Sequence, residues 1–271
     1  MGGAMRRSAC VRAWLGGLAV AASAAATAYE VVPADAPGEY LKWGPSRRAG
    51  SGGGEVTWGF VAAGTPGSDY CGSYCPGESL NALPHFHPAP QLDNRMAPLT
   101  IESLRPVFQA AFEAWSRVAD IRFRYVGVDA SRKPVGDASA LSPMIRIGIW
   151  RHAGLWAYFC AAAAYPPGFK RGSGTGHIFL NANVGYQLSD AAEGSRLEDF
   201  PRGGGLHMTD LYLLALRETG HAIGLADSKS AESVMECGDT SATLRPTTLW
   251  RAPRSDDIAG ARFLYGAPKS P

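Results

Sequence analysis

The chain has 271 residues, 46% of them hydrophobic and 18% charged, a balance that supports a folded core and excludes general disorder. Gly (33) and Pro (19) are in excess, which excludes a helical bundle and predicts many turns. With 26 basic against 24 acidic side chains, a formal charge of +2, there is no surplus to neutralise a phosphate backbone, so nucleic acid is excluded as a partner class.

Residues 1–28 read as a secretory leader. Arg6, Arg7 and Arg12 form a positive start, Ala13 to Ala26 is an apolar stretch too short to span a bilayer, and Ala26-Thr27-Ala28 is a small-x-small cleavage site. The mature chain is expected to begin at Tyr29 and to be extracellular or periplasmic. Its charge then balances at 23 basic and 24 acidic residues. No transmembrane run and no internal repeat follow, so a membrane is not an expected partner and a monomer is expected. The partition is 1–28 signal peptide, 29–41 short lead-in, 42–267 one domain and 268–271 tail.

Export sets the redox context for the four remaining cysteines, Cys71, Cys75, Cys160 and Cys237. An even count in an oxidising compartment favours two disulfides, with three connectivities open. Cys71 with Cys75 is the local pair, which leaves Cys160 with Cys237. The spacing C-x3-C also suggests half of a zinc site, but no second Cys/His pair stands at a matching distance.

In chain order, Glu55 to Val61 alternates like a strand, and 62–98, rich in Gly, Pro, Asn and Cys, reads as a disulfide-pinned loop. A helix follows, with Leu104, Phe108, Ala111, Phe112, Trp115 and Val118 at three- and four-residue steps, Ser103 as N-cap and Pro106 in the first turn. Phe108, Phe112 and Trp115 are core residues on this reading. Strands are predicted at Ile121–Val126, Met144–Trp150 and Gly176–Asn181, with a short edge piece at Ala161–Gly168. A second long helix starts at Thr209 or Asp210 and ends at Gly224. A short third helix carries Asp256 and Asp257 at its positive end and runs towards Gly266. The strands precede the second and third helices, which gives an α+β class, a sheet packed against a few helices. His85, His87, His152 and His177 read as surface or loop histidines.

The chemistry concentrates at Leu216-Arg217-Glu218-Thr219-Gly220-His221-Ala222-Ile223-Gly224-Leu225-Ala226-Asp227. Positions 217 and 221 lie one helical turn apart on one face, with Glu218 beside them, and Gly224 turns the chain so that residue 227 can approach. This segment resembles the zinc helix of the metzincin metallopeptidases, H-E-x-x-H-x-x-G-x-x-H/D. Ser233-Val234-Met235 resembles the Met-turn of the matrixins, Asp256 to Gly266 their closing D-D-I-x-G-x-x-x-L-Y-G helix, and the pieces around Ala164–Gly168 and Gly176–Asn181 their rim strand and the strand after it. The resemblance covers roughly Lys42 to Gly266.

A matrixin-like domain implies a twisted, mostly parallel sheet with an antiparallel edge strand, packed on an active-site helix, a second long helix and a short C-terminal one. It also implies a zinc-dependent metalloendopeptidase acting on protein or peptide chains. Carried over position by position, Glu218 is the general base, His221 and Asp227 are metal ligands, and Met235 forms the Met-turn. The first ligand position, however, is Arg217. A guanidinium has no lone pair to give, and a unit charge about 4 Å from a dication costs on the order of 8 kcal/mol at an effective dielectric of 20. Two readings therefore stand: a secreted zinc metalloendopeptidase with Arg217 swung away, and an inactive pseudopeptidase in which an Arg217/Asp227 ion pair replaces the zinc and the cleft only binds peptides. His207, fourteen residues before His221, lies too far along the helical chain to substitute. Ala163 and Phe179 stand where some matrixins carry histidines for a structural zinc, and Asn181 and Asn183 where acidic residues assist. The resemblance thus implies no structural zinc and gives little support for calcium. A specificity wall is expected around Leu244 to Trp250.

Overall fold

The computed structural model describes residues 29–68, 72–88, 96–131, 142–154, 161–163, 166, 176–196, 208–236 and 248–269. The expected leader, Cys71, Cys160, Cys237, His207 and residues 244–247 of the specificity wall lie outside them. Cys75 is buried and disulfide-bonded.

Among the described residues the main sheet has five strands. β1 (Gly54–Val61) pairs in parallel with β4 (Ile121–Asp129) and with β5 (Ile145–Trp150), and β5 pairs in parallel with β7 (Ile178–Asn181). β6 (Ala161–Ala163) closes one edge antiparallel to β7, with Ala161 opposite Leu180 and Ala163 opposite Ile178. The sheet is therefore mostly parallel with an antiparallel edge strand, as the resemblance implies. Strand β5 is buried at every position, as a central parallel strand covered on both faces must be. At the other edge, β4 alternates, sending Arg122 and Arg124 outward, and Arg124 pairs with Glu55 at 2.8 Å.

Helix α1 (Ile101–Ser116) buries Leu104, Phe108, Ala111, Phe112 and Trp115, the apolar stripe read from the sequence. Phe112 packs on Trp58 of β1 at 4.8 Å between ring centroids. The N-cap is Thr100 rather than Ser103: Thr100 keeps extended backbone and its hydroxyl accepts from the Ser103 N–H. Strand β3 (Ala97–Thr100) delivers the chain in that conformation, so the helix begins three residues early, and Pro106 falls in the second turn, where it forgoes one helical hydrogen bond.

The 62–98 region is not only a loop. It contains a 3-10 turn at Gly72–Tyr74, strand β2 (Ala82–His87) and the start of β3. Pro84 disguises β2 in the sequence, yet Leu83 and Phe86 reach the core. A second sheet results, in the order β3-β2-β8-β9, with β8 at Gly185–Gln187 and β9 at Met208–Asp210. His87 is consequently a buried strand residue rather than a surface or loop one; His152 and His177 lie outside the strands, as loop positions, and both are buried.

Two further helices are α2 (Leu211–Ala222) and α3 (Ser255–Tyr265). The indole N–H of Trp115 donates to the Leu216 carbonyl at 2.9 Å, fixing α1 on α2. The Tyr265 hydroxyl donates to the Ile223 carbonyl at 2.6 Å and accepts from the Trp43 N–H at 3.1 Å, which ties α3 to the end of α2.

Candidate functional site

The site is built at the C-terminal half of α2. Asp210 starts this helix, its carboxylate accepting from the Leu213 N–H at 2.8 Å, a cap that also suits the helix dipole. Gly224 ends it at φ +104, with the Leu225 N–H returning to the Gly220 carbonyl at 3.0 Å. A Cβ at Gly224 would sit 2.1 Å from the Leu41 carbonyl oxygen, so both conformation and space call for glycine. The chain leaving the turn is held from the N-terminal side: Val31 bridges Leu225, and the Ala226 N–H donates to the Glu30 carbonyl at 2.9 Å. Asp227 is thereby carried back over the face that presents residues 217 and 221.

Arg217, Glu218 and Met235 are buried. The Arg217 guanidinium, 6% exposed, reaches Asp227 through Nη2 at 2.5 Å from Oδ1. Through Nη1 it donates to the Glu236 carbonyl at 2.8 Å and to the Val234 carbonyl at 3.4 Å. His221 lies beside the same pair, its Nε2 3.4 Å from Asp227 Oδ1. Its Nδ1 stands 2.9 Å from the Leu225 carbonyl; since a carbonyl only accepts, Nδ1 carries the proton in that contact. Asp227 Oδ1 is therefore shared by a guanidinium and an imidazole. Burial works against the Asp227 charge, but hydrogen bonds and charges from His221 and Arg217 outweigh it and hold the carboxyl at about 2.

Glu218 is in a different position. Its Oε2 is buried with no hydrogen-bond partner, and burial pushes its carboxyl above the ordinary range although His221 and Arg217 pull the other way. A carboxyl shifted in this direction is of the kind that serves as a general acid or base.

Met235 lies under α2, and its turn is fastened by the start of α3. The Asp257 carboxylate accepts from the Ser233 hydroxyl at 2.5 Å, the Val234 N–H at 2.9 Å and the Arg254 N–H at 2.8 Å. Asp256 accepts from the Ser228 hydroxyl at 2.8 Å. Read from sequence, these two acids only complement the α3 dipole; their side-chain partners depend on a chain return more than twenty residues long.

Zinc needs three protein donors at about 2.0–2.3 Å and an open fourth position. Here His221 and Asp227 converge, but the third place holds a cation without a lone pair, already bonded to one of the two donors. Among the described residues no group of three or more His, Cys, Asp or Glu is arranged to hold a metal. The residues present do not fit zinc. Two further histidines stand elsewhere in the fold: His177 Nδ1 accepts from the Arg146 N–H at 3.1 Å, and the His152 backbone bonds Asn181 and Asn183. Phe179, at a position where the resemblance would put a structural-zinc histidine in some matrixins, is buried against Trp150.

Sequence comparison places relatives beside this geometry. Metalloendoproteinase 1-MMP of Arabidopsis thaliana is 30% identical over 171 residues, 62% of this chain and 39% of that protein. Macrophage metalloelastase of Rattus norvegicus is 27% identical over 162 residues, 60% of this chain and 29% of that protein. Matrix metalloproteinase-23 of Homo sapiens is 29% identical over 174 residues, 62% and 38% respectively. These likenesses support a matrixin-like domain. No protein-family model matches the chain. The matrixin-like chain spans less than two fifths of the length of these relatives, which are metalloendopeptidases by name, so hydrolases at the level of family.

Proposed function

We propose that this matrixin-like domain is a pseudopeptidase: an exported protein whose cleft engages protein or peptide chains without hydrolysing them. The observation that carries the reading is the Arg217 Nη2 to Asp227 Oδ1 contact of 2.5 Å, which fills the first ligand position with a permanent cation and spends a remaining ligand on it. On this reading Glu218 and His221 keep the positions of a catalytic base and a ligand but have no metal to serve. The leader at 1–28, the domain limits 42–267, the pairs Cys71–Cys75 and Cys160–Cys237, and a monomeric state belong to the same proposal.

A second reading is a zinc metalloendopeptidase in which Arg217 moves out and Glu218 serves as base. It draws support from the names of the relatives and from the buried Glu218 carboxylate, whose Oε2 has no hydrogen-bond partner.

Metal content and peptide cleavage, measured on the purified exported protein and on Arg217→His, separate the two. The pseudopeptidase reading expects no stoichiometric zinc and no cleavage by the unaltered protein, with both appearing in Arg217→His. Stoichiometric zinc together with cleavage abolished by Glu218→Gln in the unaltered background overturns it.

A further inference from the structure

The Arg217 guanidinium does more than neutralise Asp227. Its three acceptors come from two separate stretches that follow α2: Asp227 from the post-helix turn, and the Val234 and Glu236 carbonyls from the methionine turn. Those two stretches also touch one another, the Ser228 N–H donating to the Met235 carbonyl at 2.8 Å and Ser228 bridging Glu236 in parallel. The guanidinium thus sits where helix, turn and methionine turn meet, and it is buried there.

We infer that Arg217 is a built-in clamp that does for this fold what a metal does in a metallopeptidase, organising the floor of the site, and that it does so by a wider grip. A metal held by side chains at positions 217, 221 and 227 joins the helix to the post-helix turn. A planar fork with five N–H donors reaches the carboxylate with one arm and backbone carbonyls with another, so it joins a third segment directly. A lysine ammonium, a single compact point charge on a flexible stem, does not span acceptors set that far apart in direction. The order of residues 228–236 therefore depends on the guanidinium together with Asp257, and not on metal. This inference rests on the reading that the site holds no zinc.

The test is thermal unfolding with and without EDTA or added zinc, together with amide hydrogen exchange across 228–236, on the full exported chain and on Arg217→Met, Arg217→Lys, Asp227→Asn and the double variant Arg217→Met/Asp227→Asn. For the unaltered protein, EDTA and zinc leave Tm unchanged. Arg217→Met lowers Tm by about 5 °C or more and accelerates exchange at Ser228 and Glu236; Arg217→Lys fails to restore either. Because both members of the pair are lost together, the double variant loses less than the sum of the singles. Asp227→Asn keeps the bonds to the carbonyls, so it shows a smaller loss with 228–236 still protected, and it carries the test if Arg217→Met does not fold. Additive losses, or protection of 228–236 unchanged in Arg217→Met, overturn the clamp while leaving the pseudopeptidase reading intact. A Tm raised by zinc in the unaltered protein overturns that reading itself.

Discussion

Gly220 lies so close over Met235 that a Cβ placed on it would come 2.3 Å from the methionine sulfur and 3.1 Å from the Trp115 ring. The methionine turn is thus pressed against α2 at a point where only a hydrogen fits, directly beneath the turn that carries Glu218 and His221. Helix propensity alone favours alanine over glycine there by about 1 kcal/mol. Contact reverses the sign: Gly220→Ala should destabilise by about 1–3 kcal/mol in urea unfolding. Met235→Ala added to that background should recover part of the loss, since the obstructing sulfur is then gone. A Gly220→Ala protein as stable as its parent would show that α2 and the turn do not approach this closely.

Asp256 and Asp257 share the first turn of α3, yet they should respond very differently to the same change. Asp257 is buried and accepts from two backbone N–H groups through Oδ2, those of Val234 and Arg254. In Asp257→Asn one side-chain oxygen becomes an amide, and at least one buried donor then loses its acceptor. A loss of about 3 kcal/mol is expected. Asp256→Asn, at a partly exposed site with one hydroxyl partner, should cost under about 1 kcal/mol. Comparing the two melting curves checks whether the acidic pair acts through the methionine turn or through the helix dipole, because the dipole would treat the two alike.

Acid should destabilise the domain in two stages. His177 is fully buried, and burial, aided by the Arg146 charge, lowers its pKa from 6.5 to about 3. Between those values the unfolded chain binds a proton that the folded chain refuses, so stability falls as pH drops from about 6.5 towards 3. Asp227 is held at about 2 against an ordinary 3.8, so its contribution, present above 3.8, is lost as pH falls from there towards 2. His177→Asn keeps an acceptor for the Arg146 N–H and should flatten the first stage only; Asp227→Asn should flatten the second only. Because the Asp227 side chain is 44% exposed, its stage should be the shallower of the two and should weaken further in salt. Denaturant midpoints from pH 7 down to pH 2, with and without added salt, provide the readout.

Much of this architecture is legible in the sequence because it is local. The α1 stripe from Leu104 to Trp115 repeats with the helical period, and β4 alternates with the period of a strand; both patterns survive into the fold because each burial decision involves residues a few places apart. The limits of α2 are equally local: a capping carboxylate at Asp210 and a left-handed glycine at Gly224. Strand β2 escaped because Pro84 argues against a strand, and its pairing with β8 joins residues about a hundred positions apart. The buried histidines escaped for a related reason. Polarity predicts exposure only when no partner is near, and the partner of His177 is the backbone of Arg146, a neighbour across the sheet.

At the site the division is sharper. The sequence by itself determined which side chains share a face of α2, that the chain turns back at Gly224, and that Arg217 has no lone pair to offer a metal; helical geometry and the chemistry of the residue are enough for all three. What the guanidinium does instead was decided only by tertiary structure. Its acceptors at Asp227, Val234 and Glu236 lie ten, seventeen and nineteen residues along the chain. Two of them are backbone carbonyls, which every residue carries and no motif marks. They become partners because Asp257 fastens the methionine turn, Gly220 lets it approach, and the low exposure of that junction leaves a buried cation nowhere else to place its protons.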